Sequence, residues 1–370
     1  MEIVNDEYYM QLALNLAGAA SGQTGVNPVV GCVVVREGRI VGVGAHLKRG
    51  EGHAEVHALN MAGEQAKGAT VYVTLEPCSH HGSTPPCCER LIAERVARVV
   101  VATEDPNPQV AGKGIARLRE EGIEVEVGLL GEKSKALNEV FNHYMATGRP
   151  FVTLKTAMSL DGRIATRTGH SRWITGAAAR EAVHTLRHQH AAIMVGSKTM
   201  LADDPELTTR LSVPGIHPTR IVIDSKLITP LSARVLNDAA PTIILTTEQA
   251  DQVKLQQYSQ SHIEVIRCGT GPHVDLKLAM VELGKRQINS VLLEGGGALN
   301  GAMIAAGLVD KVMLFYAPII VGGDGAPAGF AFEGPEKMTD ALKLLDVSIQ
   351  SYGEDWCVTG YPNYRWKGES

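Results

Sequence analysis

Short apolar runs that alternate in the manner of strands recur through both halves of the chain, separated by segments of helical period. In the first half Val29 to Val35, Arg39 to Ala45, Ala69 to Leu75, Val96 to Ala102 and Glu124 to Gly128 read as strands. Between them lie helical segments near Tyr8 to Ala20, His53 to Ala66, Cys87 to Glu94, Gly114 to Glu121 and Lys133 to Ala146. Such interleaving requires helices packed in layers on a sheet, an α/β domain. The Gly and Pro of TGRP (Thr147 to Pro150) then punctuate the chain, and the pattern restarts with FVTLKTAM at Phe151, continuing through AAIMVG, TRIVIDS, TIILTT and SVLLEGGG. With 370 residues, more than one core usually serves, two α/β domains are expected, residues 1–148 and 149–370. No fixed-period repeat and no low-complexity tract interrupts them.

One strand-like run, ATVYVTL, ends in EPCSHHGSTPPCCE (Glu76 to Glu89), which holds three of the six cysteines. Its Pro, Ser and Gly exclude a helix interior, so it reads as a loop leaving a sheet edge. The opening MEIVNDEYYM is acidic, with no basic segment leading into an apolar stretch, so a secretory signal is not expected and the cytoplasm is the expected compartment. Disulfides are rare there, which turns clustered cysteines toward metal or chemistry. GHAEVH, Gly52 to His57, adds to the cluster: His53-x-Glu55 followed by Pro77-Cys78 and a later Cys is close to the zinc deaminase arrangement. Imidazole and two thiolates fill three tetrahedral positions and leave the fourth for water, whose pKa zinc lowers to roughly 7. Glu55 stays off the metal to move protons, and His53 and Glu55 are expected at the irregular first turn of a helix. Cys87, Cys88 and His81 compete as third ligand, because the usual PCxxC spacing is absent. Cys87 is favoured, since a thiolate after a Pro-Pro corner can begin a helix beside the metal. A closed structural zinc site would want four protein ligands and no Glu55. His53 and His57 have i, i+4 spacing, but Ala54 stands where HExxH needs its Glu, so His57 reads as a helix-face histidine.

The formal net charge of −5 and the aromatic content of 5% disfavour a nucleic-acid deaminase, which would want a basic channel with exposed aromatics. No window approaches eighteen uninterrupted apolar residues, so a membrane span is not expected either. Small-molecule substrates are the expectation.

Several stretches then converge on one family. GVNPVVGCVVV, GAHLKRGEGHAEVHAL, VYVTLEPCSHHGSTPPCCE and EDPNPQVAGKG in the first half resemble the bifunctional riboflavin biosynthesis proteins, and so do VTLKTAMSLDGRIA, SRWITG, MVGSKTMLADDPELTTR and LLEGGGALNGA in the second. In that family a pyrimidine deaminase is fused to a 5-amino-6-(5-phosphoribosylamino)uracil reductase. The resemblance implies an N-terminal cytidine-deaminase-like three-layer domain and a C-terminal dihydrofolate-reductase-like domain. It implies one zinc ion per chain, held by His53, Cys78 and Cys87, with Glu55 as proton shuttle. It places Asn27, His46 and His80 on the deaminase substrate. It implies NADPH in the second domain, with Ala157, Trp173, Thr199, Asp203, Ser225 and the turn Gly296, Gly297, Ala298, Leu299, Asn300, Gly301, Ala302 as cofactor positions. Lys155, Ser171, Arg187, Leu207, Arg210 and Glu294 fall on the substrate side. It also suggests a homo-oligomer, joined through the reductase domains.

Some positions depart from the pattern or stay open. Ser83 stands where many members carry Lys or Arg, which puts the phosphate contact in doubt, with Lys48 or Arg49 as substitutes. That is also the sole support for a degenerate half acting as scaffold. Cys88 has no role and reads as a small buried residue. Gly295, Gly297 and Gly301 spell GxGxxxG, one residue longer than the Rossmann fingerprint, and serve either a tight turn or the approach of phosphate to a helix N-terminus. Arg187 and Arg210 suit forked contacts to a phosphate. Asp203 is the first candidate for the proton donor of the reduction and Lys155 the second, while Asp204, before Pro205, suits a turn. Lys226, after a strand end, is the candidate reader of the additional NADPH phosphate.

Overall fold

The computed structural model describes residues 3–79, 85–107, 110–258 and 262–364, and the chain divides into two compact units, Met1–Gly148 and Arg149–Ser370. The first contains, in order, α1 (Asp6–Ala19), β1 (Gly31–Arg36), β2 (Arg39–Ala45), α2 (Ala54–Ala62), β3 (Thr70–Val73), α3 (Cys87–Ala93), β4 (Arg98–Val101), α4 (Lys113–Glu120), β5 (Glu124–Val127), α5 (Gly131–Leu137) and α6 (Glu139–Thr147). Its sheet runs β2-β1-β3-β4-β5, antiparallel on either side of β1 and parallel from β3 onward.

Successive side chains of a strand point to opposite faces, and here each face meets its own layer of helices. Cys32 and Val34 of β1, Val71 and Val73 of β3, and Val99 and Val101 of β4 pack with Ala58 and Leu59 of α2, Leu91 of α3 and Leu118 of α4. The intervening Val33, Val35, Tyr72 and Val100 pack with Tyr9, Met10 and Leu14 of α1. Leu59, Leu91 and Leu118 have no exposed surface, and each such burial contributes about 1.5–3 kcal/mol. The result is the three-layer arrangement. Against α2 the layers touch backbone to backbone: a Cβ on Gly42 would lie 2.1 Å from the carbonyl oxygen of Ala58, and one on Gly44 would lie 2.3 Å from that of Ala54. Only glycine at these positions lets α2 rest directly on β2.

Two expectations need correction. The cysteine-bearing loop leaves β3, the central strand of the sheet and not an edge. The helix expected over Lys133 to Ala146 is broken at Asn138, whose backbone (φ −102°, ψ 20°) departs from helical geometry. Its buried side chain accepts from Val29 N at 2.9 Å and donates to Val29 O at 3.0 Å, completing the backbone of a segment ahead of β1 that no strand partner reaches.

The second unit contains β6 (Phe151–Ser159), α7 (Ala177–Gln189), β7 (Ala192–Gly196), α8 (Ser197–Asp203), β8 (Thr219–Ile223), β9 (Thr242–Thr246), α9 (Gln252–Gln257), β10 (Ile263–Arg267), α10 (Leu276–Lys285), β11 (Ser290–Leu293), α11 (Gly297–Ala306), β12 (Lys311–Ala317), β13 (Lys343–Tyr352) and β14 (Asp355–Asn363). The sheet order is β10-β9-β8-β7-β11-β6-β12-β14-β13, parallel from β10 to β12 and antiparallel at the last two pairings. Met194, Ile221 and Leu245 face the core under α10 and α11, whereas Ile193, Val222 and Ile244 face the opposite core with Met200 of α8. Strands covered on both faces explain the near-continuous apolar runs in the sequence. The terminal strand β13 exposes Leu345, Val347 and Ile349. Among the described residues no helix is long and apolar enough to cross a membrane.

Candidate active sites

In the first unit three chain segments converge at one point. His53 is the N-cap of α2, in extended backbone (φ −71°, ψ 167°), and Glu55 lies in the first turn, as the irregular-start reading requires. Cys78 follows β3, and Cys87 is the first residue of α3 after Pro86. Their Nδ1 and Sγ atoms lie within 4.8 Å of one another, His53 Nδ1 being 3.6 Å from Cys78 Sγ and 3.3 Å from Cys87 Sγ. Tetrahedral zinc with bonds of about 2.3 Å to sulfur and 2.0 Å to nitrogen sets that separation at about 3.5 Å. The donor set therefore fits zinc and leaves a fourth position open. Cys88 turns into the core between the sheet and α3, while its N–H donates to Cys78 O at 3.2 Å, so it is not a ligand. His81 lies outside the described residues. His57 is not in the cluster.

The electrostatics follow from this convergence. The Cys87 thiol and its backbone N–H, 3.3 Å away, both donate to Cys78 Sγ, and with His53 they hold Cys78 as a thiolate, at about 4, against the cost of burial. The same sharing of one proton, together with burial, pushes the Cys87 thiol up. Contact with Cys78 raises the His53 pKa despite burial. Glu55 is 2% exposed, and burial pushes its carboxyl up to about 7 against the pull of His53. It stands beside the ligands without joining them.

A cleft of about 310 Å³ opens over this cluster, lined in part by Asn27, His46, Asp105, Asn107 and Phe141. His46 is buried, which lowers its pKa. Its Nδ1 faces the Gly52 carbonyl at 3.2 Å and therefore carries the proton, leaving Nε2 to accept from Asn27 Nδ2 at 3.2 Å. Asn27 thus keeps its Oδ1 as an acceptor for a ligand N–H. His80 and Ser83 lie outside the described residues, and Lys48 and Arg49 are exposed and absent from the lining. Sequence reasoning missed Glu76. Its 4%-exposed carboxylate accepts from Gly114 N (2.9 Å), Ile115 N (3.3 Å), Gly112 N (2.9 Å) and Asp105 N (3.2 Å). It fastens the loop carrying Asp105 and Asn107, together with the N-terminus of α4, beside Cys78.

In the second unit two cavities of about 420 and 680 Å³ share Ser171, Trp173, Arg187, Arg210 and Glu294 and form one cleft. Thr199, Asp203 and Leu207 line the smaller cavity, Lys155 and Ala157 the larger. Glu294, at the end of β11, receives Arg187 Nε at 2.8 Å and Nη2 at 3.0 Å, with Lys155 Nζ 3.6 Å away. Burial opposes its ionisation, but Arg187 and Lys155 outweigh that and hold its carboxyl at about 2. This revises one expectation: the Arg187 fork is spent on Glu294, and its Nη1 donates to Thr208 O at 3.1 Å. Arg210 keeps an exposed guanidinium, with Glu206 3.9 Å distant. His184 of α7, which the sequence reading passed over, also lines the larger cavity. Asp204 is the left-handed C-cap of α8 (φ 39°) and accepts from Arg234 N at 2.9 Å, the turn role foreseen for it.

The glycine turn is also revised. A Cβ on Gly297 would lie 2.3 Å from Ala328 O, and one on Gly301 would lie 2.5 Å from Ala331 O, so these glycines admit the chain's own backbone. Asn300 is buried and donates to Gly329 O at 3.0 Å, Leu299 packs into the core, and Ala298 and Ala302 are exposed. What remains open to a phosphate is the N-terminus of α11 at Gly296, which no side chain caps and which faces the Thr199 hydroxyl. That end, with Trp173 and Thr199 in the cleft, fits an NADPH site. Ser225 lies apart from the described cleft, its Oγ accepting from Val274 N at 3.1 Å, and Lys226 is exposed beside it.

Comparison with known proteins agrees with both sites. Residues 3–103 match the cytidine and deoxycytidylate deaminase zinc-binding region, and residues 150–358 match the RibD C-terminal domain. The chain is 47% identical over 358 residues to riboflavin biosynthesis protein RibD of Bacillus amyloliquefaciens, covering 96% of each. It is 46% identical over 372 residues to RibD of Escherichia coli, covering 96% of this chain and 99% of that one. Among solved structures, Acinetobacter baumannii RibD superimposes with a TM-score of 0.85 at 40% identity, covering 97% of this chain and 99% of that one. The Thermotoga maritima diaminohydroxyphosphoribosylaminopyrimidine deaminase/5-amino-6-(5-phosphoribosylamino)uracil reductase superimposes with a TM-score of 0.84 at 36% identity, with the same coverage. The chain belongs to the RibD family of riboflavin biosynthesis enzymes, which join a zinc-dependent deaminase to an NADPH-dependent reductase.

Proposed function

We propose that the chain converts 2,5-diamino-6-(5-phosphoribosylamino)pyrimidin-4(3H)-one to 5-amino-6-(5-phosphoribitylamino)uracil in two steps, deamination in the first unit and reduction in the second. The observation that carries this reading is the buried Glu55, poised beside the His53, Cys78 and Cys87 ligands without being one of them. When bound, zinc supplies Lewis-acid activation of water near neutral pH. Glu55 would take one proton from the attacking water to the ring nitrogen, and would then carry the remaining hydroxyl proton to the amine that leaves as ammonia. Asn27 Oδ1, oriented by His46, accepts from the pyrimidine edge, and His80 is retained as a substrate contact from the family resemblance.

For the second step bound NADPH would supply a hydride for C1′ of the imine that opening of the ribosylamine creates, and this chain would have to supply the proton that the nitrogen takes up. Lys155 becomes the first candidate for that proton donor, because its ammonium carries three donors, whereas Asp203 lines only the smaller cavity. Lys155 also lines the cavity beside Ala157 and Glu294. Glu294, itself held by the Arg187 fork, keeps Lys155 in place by charge, and Ser171, Leu207 and Arg210 complete the substrate side. Trp173, Thr199, Asp203 and the Gly296 end of α11 are proposed for the cofactor, with Ser225 and Lys226 at its adenosine end. The exposed apolar β13 supports pairing of two reductase units, and the cytoplasm is the proposed compartment. Turnover of the diamino compound by zinc-loaded protein, with and without NADPH, tests the scheme by following ammonia and cofactor absorbance together. Ammonia in both samples, with NADPH consumed only after it appears, is expected; neither signal would refute the substrate.

A further inference from the structure

We infer that His184 is a neutral hydrogen-bond donor that works with Arg210 to recognise the 5′-phosphate of the reductase substrate. This deepens the proposed function and rests on its placement of the substrate in this cleft. The larger cavity is lined by four cationic side chains, Lys155, Arg180, Arg187 and Arg210, against two carboxylates, Glu181 and Glu294, so it selects an anion. Yet the Arg187 fork is bound to Glu294, and Lys155 is paired with the same carboxylate. Arg187 therefore balances charge more than it reaches for a ligand, and Lys155 is held at the carboxylate beside the proposed reacting nitrogen, away from the phosphate. Arg210 keeps its guanidinium exposed, and its main chain is set by His184: Arg210 N–H donates to His184 Nδ1 at 3.1 Å.

That single contact fixes the imidazole. A ring nitrogen that accepts carries no proton, so in the neutral ring the proton sits on Nε2. Nε2 has no hydrogen-bond partner among the described residues, and the ring lines the cavity. The neutral form is the one the surroundings enforce. Burial first, and then the charges of Arg187, Arg210 and Lys155, push the His184 pKa down to about 4, with Glu294 pulling the other way. His184 therefore offers one donor without adding a fifth charge, and a dianionic phosphate that meets both Nε2–H and the Arg210 guanidinium is held at two points.

Two isosteric substitutions separate the two ring nitrogens. His184→Asn keeps an acceptor where Nδ1 was, preserving the Arg210 contact, and removes the outer donor. His184→Gln places an amide N–H near the Nε2 position. NADPH oxidation would be followed with the deaminated phosphoribosyl compound and with its dephosphorylated nucleoside, and again with NADH in place of NADPH. KM for the phosphorylated compound is expected to rise about tenfold in His184→Asn, the loss of one hydrogen bond to a charged acceptor. Partial recovery is expected in His184→Gln, which restores the outer donor but leaves the Arg210 N–H without its acceptor. KM for the nucleoside and the preference for NADPH over NADH should stay as in wild type. Equal losses on phosphorylated and dephosphorylated compounds, no loss in His184→Asn, or an effect that follows the cofactor phosphate would each overturn the inference. Failure of the wild-type protein to reduce the phosphorylated compound would overturn the assignment of the cleft itself, and this inference with it.

Discussion

Glu76 offers a sharp test of how the deaminase cleft is built. In Glu76→Gln one carboxylate oxygen becomes an NH₂ group facing two backbone N–H donors. Whichever oxygen is lost, two hydrogen bonds to a charged acceptor go with it: either Gly114 N and Ile115 N, or Asp105 N and Gly112 N. At the lower end of the range for such bonds, about 1.5 kcal/mol each, the closed form of the loop weakens by about 3 kcal/mol. Gly114 and Ile115 are too buried for water to take over their donors, and Gly112 and Asp105 are half-buried. At about 1.4 kcal/mol per decade, opening becomes roughly a hundredfold more frequent. Amide hydrogen exchange at Gly112, Gly114 and Ile115 reads this opening directly, because exchange at structured sites follows local opening. Deaminase KM should rise in parallel, since Asp105 and Asn107 line the cleft from this loop, while zinc content and NADPH oxidation of the deaminated compound stay unchanged. Exchange at wild-type rates in Glu76→Gln would refute the view that this carboxylate holds the loop.

Cys87→Ala should abolish zinc retention and ammonia release but spare reduction of the deaminated compound, as metal analysis and NADPH absorbance will show. Glu55→Gln should keep zinc yet slow ammonia release by about 10²–10⁴-fold, the usual worth of a positioned proton carrier. Glu294→Gln strands Arg187 and Lys155 without a buried partner and should cost the reductase unit about 3–5 kcal/mol near neutrality, measured by urea titration. The Glu294 carboxyl is lowered from 4.5 to about 2, so its stabilisation is complete above about pH 4.5 and is lost as pH falls toward 2. The gap between wild type and Glu294→Gln should close across that window. Asn138→Ala leaves Val29 N and O unpaired in the interior, and should destabilise the first unit by about 2 kcal/mol or more in the same titration.

Period and apolar runs were enough to read the two α/β units and most of their strands, because burial on both sheet faces writes itself into every residue of a strand. His53, Cys78 and Cys87 could be picked out as a candidate metal cluster for another reason: few residue types bind zinc, and the structure brings these three together. What stayed hidden depends on partners distant along the chain. The break at Asn138 exists because its side chain meets Val29, 109 residues away, and nothing local announces it. Arg187 looked free for phosphate because Glu294 lies 107 residues on. Glu76 was read as the start of a motif, whereas its work is done on backbone N–H groups from Asp105 to Ile115, and backbone donors leave no mark in a sequence. The glycines at 297 and 301 carried a phosphate-loop spelling, but the backbone they admit is the chain's own.

The contact of Gly42 and Gly44 with the backbone of α2 sets a rule for how this chain can vary. The separation between β2 and the helix that begins at His53 is fixed by main-chain atoms in touch, not by the volumes of the side chains around them. Substitutions among the Val, Leu and Ala of the surrounding core can therefore accumulate without changing how closely α2 rests on β2. The tolerance there is matched by intolerance at Gly42 and Gly44, where adding a single methyl group would push the start of α2, with His53 and Glu55, off the strand.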